Sequence, residues 1–135
     1  MRAGRSSSEA ETVSLRILMV DDSEQFLQAA SMTLGRNGIE VVGTATSGAT
    51  ALAQVAKLRP DVVLVDVGLG DESGFDFVLE LVDAFPYLAA GVVLISSRTE
   101  DDYGELVEAS AALGFITKSE LSASAIRELV SSGGS

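Results

Sequence analysis

The stretch Asp61-Val-Val-Leu-Val-Asp66 is an unbroken apolar run that ends on a carboxylate. It has company. Arg16-Ile-Leu-Met-Val20 runs into Asp21-Asp22, Gly91-Val-Val-Leu-Ile95 runs into Ser96, and the short Gly114-Phe-Ile-Thr117 runs into Lys118. Apolar runs of this length, rich in Val, Ile and Leu and separated by helical patterns, read as strands buried on both faces of a parallel sheet. The functional crevice of such a sheet lies at the carboxyl ends of its strands. Asp21, Asp22, Asp66, Ser96 and Lys118 are therefore expected at one edge.

The spaces between the runs read as helices. A first helix is expected from about Ser23-Glu24 to just before Asn37-Gly38, with Phe26, Leu27, Ala30 and Leu34 on its apolar face. A second strand, residues 39–45, leads into a helix carrying Leu52, Val55 and Ala56, closed off before the third strand by Pro60. Phe75, Val78, Leu81, Val82 and Phe85 form the inward stripe of a third helix, and Pro86 punctuates it. Glu100-Asp101-Asp102 places negative charge at the expected start of a fourth helix, where the macrodipole favours it. A last helix is expected over about residues 122–130, with Ile126, Leu129 and Val130 inward. Five β-α units imply a doubly wound α/β fold: one parallel sheet, helices on both faces, right-handed crossovers. Residues 1–13 read as a flexible N-terminal tail, 14–130 as the domain, and 131–135 as a flexible end or linker stub.

Composition narrows the chemistry. The 135 residues suffice for one domain, and 47% hydrophobic content supports a core. A net charge of −11 with no basic patch argues against direct binding of nucleic acid. With no cysteine and no histidine, thiolate chemistry, imidazole ligands and Ser-His-Asp catalysis are excluded. A metal site would be built from oxygen, which selects a hard cation, Mg²⁺ above all. No apolar stretch approaches the roughly 20 residues of a membrane span, and no signal-peptide core follows the N-terminal arginines, so a cytoplasmic protein is expected.

Each site residue has a plainer explanation. Asp22 or Ser23 could cap the first helix with Asp21 solvated, and Asp66 could serve a turn before Gly68 and Gly70. Ser96 could be a cap, Lys118 a surface lysine, and Phe115 simply core. Their joint position at one sheet edge weighs against these readings. Three carboxylates crowded together repel unless cations sit among them. One Mg²⁺ and Lys118 would bring the charge to −3 + 2 + 1 = 0, a setting suited to receiving a phosphoryl group.

On these residues the stretch from about Arg16 to Val130 resembles the receiver domain of bacterial two-component response regulators, the CheY-like superfamily. The motifs are Asp21-Asp22, Asp66, Gly74, Ser96 and Phe115-Ile-Thr-Lys118. The resemblance implies a flavodoxin-like (βα)5 fold with strand order 2-1-3-4-5. It implies Asp66 as phosphoacceptor from a sensor histidine kinase or histidine phosphotransfer protein. Asp21, Asp22, Asp66 and the Gly68 backbone carbonyl would hold Mg²⁺, and Ser96 and Lys118 would bind phosphoryl oxygens. Phe115 would turn inward behind Ser96, changing the surface that a protein effector, an output domain or a second copy in a phosphorylation-dependent homodimer reads. Gly68 and Arg98 would tune the phosphoryl lifetime. Such a domain is a switch and not an enzyme, beyond self-phosphorylation from small donors and autodephosphorylation.

Four positions depart from the commoner pattern: Gly70 replaces a usual proline and suggests a more mobile loop, Ser97 a usual alanine, Ser119 a frequent proline, and Ala111 a frequent glycine. The segment Lys118-Ser-Glu-Leu121 resembles receivers that precede helix-turn-helix output domains. Alternatives to a working receiver are a pseudo-receiver that is never phosphorylated, a Mg²⁺-dependent aspartyl phosphatase and a flavodoxin-like cofactor binder. The phosphatase would want Asp-x-Asp and a cap segment, and the cofactor binder a phosphate-cradling loop that Asp21-Asp22-Ser23-Glu24 does not supply.

Overall fold

A computed structural model describes residues 15–98 and 103–134. The main sheet comprises β1 (Arg16–Val20), β2 (Glu40–Ala45), β3 (Val62–Asp66), β4 (Val92–Ser96) and β5 (Gly114–Thr117). All neighbours pair in parallel, in the order β2-β1-β3-β4-β5. The helices are α1 (Glu24–Arg36), α2 (Gly48–Leu58), α3 (Gly74–Ala84), α4 (Gly104–Ala109) and α5 (Ala123–Gly134), with 3₁₀ turns over Pro86–Ala90 and Lys118–Glu120. This is the doubly wound fold that the apolar runs imply.

Period-2 alternation divides the core between the two faces of the sheet. Ile17, Met19, Leu64, Val93 and Ile95 pack against Leu27 and Leu34 of α1 and Ile126 of α5. Leu18, Val20, Val63, Val65 and Leu94 pack against Ala51 and Val55 of α2 and Phe77, Val78 and Leu81 of α3. The three central strands are buried almost throughout, whereas the edge strand β2 is mostly half-exposed.

Serines start the helices that leave the crevice. Ser23, Ser47 and Ser73 each accept a bond from the backbone N–H three residues on, at Phe26, Thr50 and Asp76. Each cap satisfies a donor that the first helical turn leaves orphaned.

The structure departs from the sequence reading in five places. The second strand starts at Glu40, although Ile39 is buried. Ala56 is exposed, and Ala51 instead joins Val55 in the core, because α2 faces the sheet one turn earlier than its apolar count suggests. Phe77 is buried in α3 while Phe75 is half-buried. The last helix continues through Ser131–Gly134, part of the segment expected to be a flexible end. Serine and glycine weaken a helix without blocking its hydrogen bonds as proline would. Finally, the loop after β3 closes as a small antiparallel ladder, Gly68 opposite Ser73 and Leu69 opposite Glu72. Its two-residue turn needs the φ of +66° that Gly70 adopts and proline cannot. The loop takes the form of a hydrogen-bonded hairpin. The acidic triplet at 100–102, and the tail at 1–13, lie outside the described residues.

Candidate functional site

The strand order reverses between β1 and β3, and the crevice opens at their carboxyl ends. Asp21 follows β1 and is held by its backbone N–H, which donates to the Ala45 carbonyl at 3.0 Å and extends the ladder with β2. Its side chain is fully buried. One oxygen, Oδ1, accepts from the Ser23 N–H at 2.9 Å, and the other, Oδ2, lies 2.6 Å from Lys118 Nζ. Asp22 is exposed, so the helix cap falls to Ser23 and leaves the Asp22 carboxylate free of that task.

Asp66, the last residue of β3, is buried. Its Oδ1 lies 3.7 Å from Lys118 Nζ. The carboxyl is pushed up from 3.8 to about 6, first by burial and then by the negative charge of Asp21; Lys118 pulls it down, Asp22 raises it, and the bonded Gly68 backbone lowers it. The group is therefore short of positive charge, with one ammonium set against three acids.

Asp21, Asp22 and Asp66 each offer a carboxylate oxygen, and these oxygens lie within 4.8 Å of one another. The donors are all oxygen and the unbalanced charge is negative, which fits a hard divalent cation such as Mg²⁺.

The opposite wall is built by β4 and β5. Ser96 is buried, and its Oγ accepts from the Arg98 N–H at 3.1 Å. Arg98 itself is exposed, and among the described residues it meets Ser96 through its backbone. Lys118 follows β5, and its ammonium also lies 4.3 Å from the centre of the Phe26 ring. Phe115 is half-buried against the α2–α3 side of the core. Gly68 is exposed, and a Cβ there would meet nothing within 4 Å. Gly74 closes the floor: a Cβ there would lie 2.2 Å from the Asp66 carbonyl oxygen and 2.8 Å from Val67 Cα.

Three contributors escaped the sequence reading. Tyr103 places its hydroxyl 3.5 Å from Ser96 Oγ, and its ring lies between Phe75 and Phe115. Glu72 accepts from the Gly48 N–H at 3.2 Å, tying the hairpin after β3 to the start of α2. Phe26 supplies the ring beside Lys118. Glu72 and Phe26 act on residues distant in sequence, and Tyr103 reaches Ser96 across a loop that no local pattern marks.

A family model for the response regulator receiver domain matches residues 17–131. A protein-glutamate methylesterase/protein-glutamine glutaminase of Archaeoglobus fulgidus is 35% identical over 106 residues, 77% of this chain and 30% of that protein. The transcriptional regulatory protein KdpE of Mycobacterium tuberculosis is 40% identical over 84 residues, 62% of this chain and 35% of its own. The chain thus spans about a third of the length of these relatives. Among solved structures, the chemotaxis protein CheY4 of Vibrio cholerae superposes with a TM-score of 0.74 at 28% identity, covering 89% of this chain and 98% of that one.

Proposed function

The chain belongs to the response regulator receiver domain family, and from that premise we propose that it is a phosphorylation-driven switch whose acceptor is Asp66. One observation carries this reading. Asp66 stands at the mouth of the central strand, beside two further carboxylates and within reach of Lys118.

The donor is a phosphohistidine on a sensor histidine kinase or a histidine phosphotransfer protein. An Asp66 carboxylate oxygen attacks phosphorus, a P–O bond forms, the P–N bond breaks, and the imidazole leaves. Lys118, 3.7 Å from the attacking group, balances one phosphoryl oxygen as a point charge. Ser96, at the end of the neighbouring strand, donates its hydroxyl to another. Asp21 keeps Lys118 extended into the crevice. Asp21, Asp22, Asp66 and the Gly68 carbonyl are the groups that would hold Mg²⁺. When bound, the ion supplies positive charge against the phosphoryl oxygens.

Converting the carboxylate to an acyl phosphate adds roughly one negative charge and new acceptors. Recruitment of Ser96 frees space behind it, Phe115 turns inward, and the surface built by α4, β5 and α5 changes. A protein effector, an output domain or a second copy of the chain reads that surface. The relatives' names, a transcriptional regulator and a methylesterase, are consistent with receivers that serve different outputs. Among the described residues no helix is long and apolar enough to cross a membrane.

The test is intact-protein mass after incubation with acetyl phosphate, with and without Mg²⁺. The expected result is a Mg²⁺-dependent gain of one phosphoryl group that Asp66→Asn abolishes. An equal gain in the variant would refute the assignment.

A further inference from the structure

We infer that Tyr103 is a positioning residue for the switch, holding Ser96 away from the phosphoryl site until phosphorylation and coupling its release to Phe115. The inference rests on the phosphoacceptor reading above.

Three contacts carry it. The Tyr103 hydroxyl lies 3.5 Å from Ser96 Oγ, with either oxygen able to donate. The Tyr103 ring stands 6.0 Å from Phe115, tilted 45°, and 5.8 Å from Phe75, tilted 56°. One side chain therefore touches both the buried hydroxyl at the site and the half-buried aromatic behind it. The tilted geometries are those in which aromatic pairs attract.

Position strengthens the case. Tyr103 is the residue that starts α4, and its side chain makes no helix-capping bond there. The helix it starts buries none of its own residues. Among the described residues, Tyr103 thus ties the start of α4 to the body of the domain, through Phe75, Phe115 and Ser96.

Ser96 Oγ already accepts from the Arg98 N–H. Whichever oxygen donates in that contact, Oγ cannot stay beside the Tyr103 hydroxyl and also turn its one hydrogen onto a phosphoryl oxygen. When Ser96 turns to the phosphoryl group, the Tyr103 hydroxyl loses its partner, and the ring loses the contact that fixes it between Phe75 and Phe115. Phe115 is then free to move and α4 to shift. In the resting state the same contacts favour the inactive arrangement, so the phenol acts as a brake.

The experiment titrates the full chain with beryllofluoride in the presence of Mg²⁺ and follows the Phe115 ring resonances by NMR. Wild type, Tyr103→Phe, Ser96→Ala and the Ser96→Ala/Tyr103→Phe pair are compared. Tyr103→Phe keeps the ring and removes the hydroxyl. It should shift the Phe115 resonances of the free protein part of the way toward their beryllofluoride-bound positions and tighten beryllofluoride binding by about twofold to fivefold, the effect of releasing one weak hydrogen bond. The gain should vanish in the Ser96→Ala background, because the hydroxyl acts through Ser96. A purely structural tyrosine would not produce that dependence. Binding by wild type with equal or weaker affinity in Tyr103→Phe would overturn this inference alone, as would a gain that persists in Ser96→Ala. No binding by wild type would overturn the phosphoacceptor reading and this inference with it.

Discussion

Lys118 is paired with Asp21 more closely than with Asp66, at 2.6 Å against 3.7 Å. The ammonium is thus held by the buried acid next to the proposed acceptor, within reach of it but without occupying it. That arrangement keeps a positive charge poised for the phosphoryl group while leaving an Asp66 oxygen free to attack.

Lys118→Ala should therefore act first through Asp21, whose fully buried carboxylate would lose its cation. Breaking a fully buried pair costs about 3–5 kcal/mol. Lys118 is partly exposed, its side chain 20% accessible, so a loss of about 1–3 kcal/mol is expected. Millimolar Mg²⁺ should recover much of it. Urea denaturation in chelator and in Mg²⁺ checks both statements. The variant should still be phosphorylated on Asp66 while its Phe115 resonances stay at their resting positions, because the phosphoryl charge is left unbalanced.

The raised pKa of Asp66 sets a pH dependence. Its carboxyl titrates at about 6 in the folded protein against 3.8 ordinarily, so between those values the folded state binds more protons than the unfolded chain. The folded state is thus favoured below this window, and stability falls as pH rises through it. Without Mg²⁺, Asp66→Asn should match wild type below about pH 4. It should exceed wild type by about 1–2 kcal/mol above pH 6, allowing for screening by water in the crevice. Denaturation midpoints across that range decide the matter. A difference that does not vary with pH would contradict the burial and crowding assigned to Asp66.

Asp22→Ala should lower Mg²⁺ affinity by at least about tenfold, as loss even of an indirect metal contact commonly does. Because Asp22 is exposed, folding should be little changed. Calorimetric titration with Mg²⁺ measures the first effect and thermal unfolding in chelator the second. Undiminished binding would remove Asp22 from the cation site.

Gly74→Ala should destabilise by about 1–3 kcal/mol, because the added methyl meets backbone atoms that cannot swing aside. The displaced atoms belong to Asp66 and Val67, so the rate of phosphorylation by acetyl phosphate should fall as well. A variant with the stability and rate of wild type would show that this approach is not constrained.

The parts legible in the sequence were those written in local patterns. Apolar runs marked the strands, and their polar last residues marked the crevice: Asp21, Asp22, Asp66, Ser96 and Lys118 all lie at the carboxyl ends of the strands. What was illegible depends on contacts between distant segments. Phe75 and Phe77 differ in depth because Phe75 turns toward Tyr103, twenty-eight positions on, while Phe77 faces the sheet. Gly70 looked like the loss of a stiffening proline, yet its positive φ closes a hairpin that Glu72 then ties to Gly48. The Ser131–Gly134 segment resembles a linker by composition, but a helix already begun carries it along.

On the proposed mechanism the acyl phosphate forms on Asp66 and on no neighbouring acid. The most direct measurement treats the phosphorylated chain with borohydride, which reduces an aspartyl phosphate to homoserine, and locates the reduced residue by tandem mass spectrometry. Homoserine is expected at position 66, in amounts that follow Mg²⁺. Homoserine at position 21 or 22, or its absence from position 66 in a chain that has gained a phosphoryl group, would contradict it.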